Sequence, residues 1–553
     1  MRATTLFLGL IASCVVAAAP PAADLIVHDA RIYTVDATHP VVQALVVRDG
    51  RVVFVGSTRE AMTFRAAKTQ VLDLDGAAVI PGMIDAHAHL LGLGQSLQTI
   101  DLRGTASFDA VIARVVERRA ATVPGRWIVG RGWDQNDWAD TRFPEHAALS
   151  ANTADHPVLL ERVDGHAVLV NAAALKAAGI TRDTPDPAGG RIEHDAEGEP
   201  SGVLVDNAID LVTKVMPAAT PDELRDAVTR AIAELQRWGL TGIHDAGVTR
   251  DVIGVYEALA REGRHGLRNY AMVAGNDADI DWALQRGAQN GLYDGRLWIR
   301  SIKLSADGAL GSRGAWLLEP YADAPGHSGL ATLPAGRVRA VATRALKAGF
   351  QVNTHAIGDR ANRVVLDELS EALDAVPVAD HRFRIEHAQI LHPDDLARFA
   401  ELGVIPSMQS SHQTSDMYWA GVRIGPTREL GAYAWRSLLD TGVIVPNGSD
   451  LPVELTNPLI SFHAAVSRQD AKDWPAGGWH PEQRMTRDEA LKSMTLWPAQ
   501  AAFMEAEVGS LGVGKRADFV VLDQDLMRVP AELILRTRVR QTWLGGERVY
   551  AAD

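Results

Sequence analysis

The sequence predicts an α/β protein: a TIM (β/α)8 barrel flanked by a small β-sandwich built from both termini. Three observations carry that reading. Short alternating segments split by turn residues run from Leu25 to Ile80, in "LIVHDARIYTV", "QALVVRDGRVVFVG" and "QVLDLDGAAVIPG". The same pattern returns only at the far end, in "ADFVVLDQDL" and "VRQTWLGGERVYAAD". Between these brackets, strand-like apolar runs alternate with helical patterns, the arrangement of βα units around a parallel sheet.

The bracketing segments are read as one composite β domain, 24–80 with 505–553, because Asp49-Gly50 and Gly545-Gly546 each sit where a hairpin turn belongs. The barrel is expected over 81–504. Its eight runs are "AAVIPGMIDAHAH", "TGIHDAG", "RNYAMVAG", "WIRSIKLSADG", "FQVNTHAIGD", "RFRIEHAQI", "GVIPSMQSS" and "GVIVPNGSD". Eight closes a barrel whose chemistry sits at the C-terminal ends of its strands. About a hundred residues separate the first run from the second, far more than a βα loop requires. That insertion, at about 102–219, is expected to shape the substrate pocket. Helix Pro221–Trp238 shows the quality of the helical signal: Thr220 caps, Pro221 takes the first position, Glu223 completes a capping box, and an apolar stripe runs from Leu224 to Trp238.

The first residues, "MRATTLFLGLIASCVVAAAPPAAD", have the layout of a secretory signal: Arg2, an apolar core from Leu6 to Val16, then small residues. Cleavage after Ala18, leaving 1–18 as signal peptide, implies export to a bacterial periplasm. A rival reading takes "IASC" as a lipobox, with lipidated Cys14 anchoring the chain to an envelope membrane. Cys14 is the only cysteine among 553 residues, so the mature protein has no internal disulfide. A net charge of −14 and the lack of any Lys/Arg-rich block exclude a nucleic-acid partner.

The stretch "VIPGMIDAHAHLLGLG" places His87 and His89 two residues apart at the end of an apolar run. In a strand, side chains at i and i+2 share a face, so two imidazoles converge there, and the commonest shared ligand of converging imidazoles is a metal. A hydrogen-bonded pair of core histidines is the plain alternative. The corresponding ends of other runs decide between them: run four carries Lys303, run five His355, run six His387 and run eight Asp450.

With those residues in hand, the chain resembles the metal-dependent amidohydrolase superfamily, and within it amidohydrolase family three, a branch that includes N-substituted formamide deformylase. The motifs are "GMIDAHAHL", "IKLSADGALGSRGA", "VNTHAIGDRAN", "RIEHAQ" and "NGSDLPV". The resemblance implies hydrolysis of a carbon–nitrogen bond in a small-molecule amide, with His87, His89, His355 and His387 as ligands and Asp450 as ligand and proton shuttle. It implies a divalent metal, one or two ions; imidazole and oxygen donors favour zinc, while manganese, iron or nickel fit the same set. A lysine ammonium has no lone pair for a cation. Lys303 is therefore expected as a carbamate bridging two metals, or else as an ammonium paired with Asp307 or Glu386 beside one metal. Two other readings are a one-metal deaminase-like hydrolase, which has no need of Lys303, and a non-catalytic binding protein on the same scaffold. A homodimer is one expected assembly.

Further candidates surround this set. "ERVDGHAVLVN" offers Glu161, Asp164 and His166; His166 is read as a catalytic hydrogen-bond donor to the substrate carbonyl, or as part of a structural turn. "GRGWDQNDW" offers Trp133 and Asp134 as pocket walls. In "ADGALGSRGAW", Asp307, Ser312 and Arg313 follow strand four, and Arg313 is read as a partner for a substrate carboxylate. His244 and Asp359 are read as supporting groups, and Met408, Gln409 and His412 as lining the cavity.

Overall fold

A computed structural model describes residues 22–552 of the protein. The expected signal segment and Cys14 lie outside the described residues. Seven strands, β1 (Met83–Ala88), β2 (Leu240–Val248), β3 (Arg268–Ala274), β4 (Leu297–Ser305), β5 (Gln351–Ala356), β6 (Arg384–His387) and β7 (Ile405–Ser407), pair in chain order, each parallel to the next. A short strand, Gln289–Gly291, is added antiparallel to β4. The helices outside the sheet follow the apolar period: Arg337–Ala348 buries Val338, Val341, Ala342, Ala345 and Leu346. Helix Pro221–Arg237 begins with the expected Thr220–Glu223 capping box and ends at Trp238.

The eighth run does not become a regular strand. Residues 442–450 make a single parallel bridge, Met408 to Asn447. Pro446 lacks the N–H that a ladder would need. The ring is nonetheless closed by hydrogen bonds from this segment to both neighbours. Met408 N–H donates to Pro446 O at 2.9 Å on the β7 side, and Ala86 N–H donates to Asn447 O at 3.2 Å on the β1 side. Further along, Asp450 N–H donates to His87 O at 2.7 Å and His89 N–H to Leu451 O at 2.8 Å. The buried Asp85 carboxylate completes the seam by accepting from Ser449 N–H at 3.0 Å and Ser449 Oγ at 2.6 Å.

The two chain ends build the flanking sandwich. One sheet orders Arg51–Gly56, Ala44–Arg48, Leu25–His28 and Gln70–Asp73. The other joins Ala78–Pro81 antiparallel to Phe519–Leu522, so both termini share one ladder. Leu25, Val27, Leu45, Val47, Phe519, Val521 and Trp543 pack between the sheets. Both expected hairpins form, with positive φ at Asp49 (50°), Gly50 (71°), Gly545 (61°) and Gly546 (77°), as a type I′ turn requires.

The insertion has its own six-stranded sheet, ordered Gly190–His194, Pro200–Asp206, Ala167–Val170, Val158–Arg162, Ile128–Trp133 and Ile100–Asp101. Its strands alternate between two cores. Leu160, Leu169, Val203 and Val205 face one side, and Leu159, Val168, Val170 and Leu204 the other. A sheet buried on both faces is a rigid platform for the loops it presents to the barrel.

The sandwich is tied to the foot of the barrel by a buried ion pair. Arg268, at the start of β3, donates through Nε and Nη2 to the two oxygens of Asp518, the latter at 2.7 Å. Asp518 also accepts from Gly545 N–H at 2.7 Å. Asp518→Ala strands a buried guanidinium and should cost about 3–5 kcal/mol. Denaturant unfolding checks this; a midpoint equal to that of the unsubstituted protein would contradict the coupling.

Candidate active site

All the strand-end residues converge at the C-terminal end of the barrel. His87 Nε2 lies 3.5 Å and His89 Nε2 3.1 Å from Asp450 Oδ1. One donor atom each of His87, His387 and Asp450 fall within 4.8 Å of one another. The His387 ring is 4.8 Å from the His87 ring and 4.4 Å from that of His355, and Lys303 Nζ is 3.4 Å from His87 Nε2. His387 (φ 74°) and Asp450 (φ 57°) both adopt left-handed backbone. Such conformations cost about 1–3 kcal/mol each and persist where the surroundings enforce them. Here the Asp450 N–H bond to His87 O does so.

The hydrogen bonds behind the histidines decide what they offer in front. His87 Nδ1 lies 2.5 Å from Glu386 Oε2 and His89 Nδ1 3.0 Å from the carbonyl of Ala246. His387 Nδ1 lies 2.8 Å from Gln409 Oε1, and Gln409 Nε2 donates to Ser407 O, which leaves Oε1 as the acceptor. Each Nδ1 therefore carries a proton, and the neutral rings of His87 and His387 present an Nε2 lone pair to the cluster. Burial, then the neighbouring Lys303, pushes the His87 pKa down to about 4. Burial also holds His387 well below the usual value and lowers His355. Burial works against the Asp450 charge, but the hydrogen bond from His412 outweighs it and keeps the carboxyl well below its usual range. Asp450 Oδ1 and His355 Nε2 are buried and make no hydrogen bond. The neutral imidazoles of His87 and His387 and the ionised Asp450 carboxylate, with donor atoms within 4.8 Å of one another, are the donor set of a divalent metal, so these residues fit the group the sequence implies, while His355 Nε2 lies 3.4 Å from Asp307 Oδ1.

Glu386 is anchored by Arg384, whose Nε lies 2.8 Å from Oε1. Both side chains are fully buried, and Arg384 also donates to Ala86 O at 2.5 Å and Ser407 Oγ at 2.7 Å. Against the penalty of burial, Arg384 and His87 bring the Glu386 pKa down to about 2. His244 Nδ1 sits 3.0 Å from Arg384 Nη1, a supporting contact as expected. Among the described residues Lys303 has no carboxylate ion pair. Glu386 is engaged elsewhere, and Asp307 accepts backbone N–H groups of Trp316, Ile357 and Gly358 at 2.8–2.9 Å. Burial lowers the Lys303 pKa.

A cavity of about 290 Å³ opens over the cluster, lined by His355, His387, Asp450, His166, Asp164 and His412 among others. His412 is bracketed by Asp450 Oδ2 at 3.4 Å and Glu454 Oε1 at 3.0 Å. Burial opposes its charge, but those two carboxylates raise its pKa to about 10. It is an imidazolium that orients Asp450 as well as a wall of the cavity. His166 bonds through Nδ1 to Asp206 Oδ1 at 2.7 Å. Asp164 lines the cavity while accepting from Arg162 Nη1 at 2.6 Å.

Three sequence readings are corrected. Trp133 is not a cavity wall: it is 1% exposed, donates through Nε1 to Leu160 O and packs on Trp138 in the insertion core. Asp307 is spent on backbone N–H groups and lines a second cleft rather than the substrate cavity. Arg313 turns back to Asp323, with Nη2 at 2.8 Å, so it has no free fork for a carboxylate. Gln409 supports His387, and Asp416 and Glu454, which the sequence did not single out, line the cavity. Asp206 was also missed, because only the antiparallel register of the insertion brings it across from His166.

Fold and site together define a barrel hydrolase built around a histidine–carboxylate metal centre. The amidohydrolase family profile matches residues 70–550, and the chain belongs to that family. It is similar to Protein LONG AFTER FAR-RED 3 of Arabidopsis thaliana, 34% identical over 549 residues, covering 96% of this chain and 93% of that one. It is similar to N-substituted formamide deformylase of Arthrobacter pascens, 30% identical over 548 residues, covering 95% and 98%. Among solved structures, a metal-dependent hydrolase from Pyrococcus horikoshii OT3 matches with a TM-score of 0.74 and 28% identity, covering 92% of this chain and 99% of that one. The protein is a hydrolytic enzyme acting on carbon–nitrogen bonds.

Glu386 holds the proton on the far side of His87, so Glu386→Gln should weaken metal affinity about 10- to 100-fold, as loss of such a supporting group does. Competition against a chromophoric chelator measures it. Unchanged affinity in a folded variant would contradict the assignment.

Proposed function

We propose that the protein hydrolyses N-formyl or N-acyl amines at a centre of one or two divalent ions, zinc by preference, held by His87, His89, His355, His387 and Asp450. The observation that carries this is the ionised Asp450, in contact with two imidazoles at the floor of a cavity large enough for a small amide. When bound, the ion supplies a Lewis acid and brings the pKa of a water towards neutrality. Asp450 takes the proton of the attacking water on Oδ1 and hands it to the amide nitrogen, so the amine leaves as a neutral molecule. His412 occupies Oδ2 and leaves Oδ1 for that transfer. Burial disfavours charge on His166, but the Asp206 hydrogen bond and carboxylates nearby raise its pKa to about 9, so it carries a proton to offer the carbonyl oxygen as that oxygen gains charge.

Lys303 is assigned as a carbamate. Burial favours its neutral amine, whose nitrogen adds to the carbon of carbon dioxide and releases a proton, leaving an anion able to bridge two ions. Lys303→Ala should lower metal content from about two ions per chain towards one or none and reduce the rate by orders of magnitude. Acetate or propionate should restore part of the activity. Normal metal content and turnover would remove the bridging role and favour the one-metal hydrolase.

The charge of the cavity narrows the substrate. Asp134, Asp137, Asp164, Asp450 and Glu454 line it, with Asp416, whose pKa burial pushes up to about 7, against Arg103, Arg162 and the protonated His166 and His412. Arg162 is already held by Asp134 and Asp164, and Arg103 by Asp101. Amides with a neutral or cationic amine side should therefore exceed matched N-acyl amino acids by at least about tenfold in kcat/KM, roughly 1.4 kcal/mol. A screen of such pairs tests both reading and charge rule: preference for the carboxylates refutes the rule, and no hydrolysis of any amide refutes the reading. We also propose export through residues 1–18, which an intact mass from the native host tests. A full-length species would sink it, and a diacylglyceryl adduct on Cys14 would favour the lipoprotein form.

A further inference from the structure

The insertion delivers His166 to the barrel, and the same sheet holds it there. Ala167–Val170 and Pro200–Asp206 are antiparallel neighbours, with Ala167 opposite Val205. Asp206 N–H donates to His166 O at 2.9 Å, so the two residues face each other across the strands. Their side chains meet as well, His166 Nδ1 to Asp206 Oδ1 at 2.7 Å.

Stability does not explain this arrangement. The Asp206 side chain is only 2% exposed, its backbone is left-handed (φ 50°), and its second oxygen, Oδ2, makes no hydrogen bond. A strained residue with a half-satisfied buried carboxylate is a cost to the fold. The barrel nonetheless packs tightly over it. A Cβ at Gly308 or Gly314, in the loop after β4, would fall 2.3 or 2.4 Å from Oδ2, so glycine in "ADGALGSRGA" admits the carboxylate and clamps it. On its other side the His166 ring stands 5.1 Å from the His355 ring and borders both the substrate cavity and the second cleft.

We propose that Asp206 is a positioning residue for the hydrolysis: it holds His166 by Nδ1–H and so aims Nε2 at the carbonyl oxygen of the bound amide. A carboxylate can only accept, so it fixes both the proton on Nδ1 and the face of the ring that reaches the cavity. Without it the ring flips, and a carbon replaces nitrogen opposite the substrate. The clamping glycines then have a role: they let the barrel loop set the carboxylate that sets the imidazole. The inference rests on the reading of His166 above.

The test uses the full, metal-loaded protein and its Asp206→Asn, Asp206→Glu, His166→Gln and doubly substituted (Asp206→Asn with His166→Gln) variants. With a neutral N-acyl amine, Asp206→Asn should lower kcat at least ~10-fold with KM and metal content little changed, and Asp206→Glu should recover part of the loss. In the His166→Gln background, Asp206→Asn should add no further loss, because it acts through the imidazole. Nitrogen NMR of ring-labelled histidine, compared with His166→Gln to assign the signal, should show the His166 Nδ1–H resonance in the unsubstituted protein and its loss or shift in Asp206→Asn. Full activity in Asp206→Asn, or an equal loss with and without His166, overturns the proposal. If the unsubstituted protein cleaves no amide, the reading of the reaction fails, and the NMR comparison alone decides on Asp206: an unchanged His166 signal overturns the positioning role.

Discussion

Three imidazoles around the centre have an oxygen acceptor behind Nδ1, and the site depends on that constraint. A carboxylate at His87, a backbone carbonyl at His89 and an amide oxygen at His387 each take the Nδ1 proton. On His87 and His387 the Nε2 lone pairs are then turned inwards. Fixing tautomer and ring orientation through these acceptors removes a cost that binding would otherwise carry. It also explains why a fully buried Glu386–Arg384 pair is kept in the barrel interior, where apolar residues would pack as well. Removing either partner leaves the other charge buried alone and frees the proton on His87.

Barrel closure serves the same end. The segment that carries Asp450 is too irregular to be a strand, yet it is stitched to β1 by the Asp450 and Ala86 backbone bonds and by Asp85 with Ser449. Those bonds bring a carboxylate to two histidines more than three hundred and fifty positions earlier in the chain. The segment that closes the barrel is the segment that places Asp450 in the centre. The His412 imidazolium then sorts the two Asp450 oxygens, occupying one and leaving the other towards the histidines.

Much of this was legible in the sequence because the ligands fall at strand ends, where apolar runs meet turns. The capping box at Thr220 and the two hairpin turns were legible for the same reason: each is a local signal with a fixed spacing. The misread residues depended on distant partners. Trp133 sits in a polar-looking loop sequence, but its ring enters the core of an insertion whose sheet could not be drawn from one sequence. Arg313 finds Asp323 within its own loop, and Asp307 is consumed by backbone N–H groups that only the tertiary path of the following segments supplies. The eighth run looked like a strand because of its valines, and Pro446 with the turn at Asp450 overrode them.

The central claim is that residues from separate strand ends surround one metal centre. Diffraction from crystals of the zinc-loaded protein, recorded on both sides of the zinc absorption edge, tests it most directly. The account predicts anomalous density about 2.0–2.2 Å from Nε2 of His87 and His387 and from the Asp450 carboxylate. Zinc bound elsewhere, with those nitrogens hydrogen-bonded only to water or protein, would contradict it.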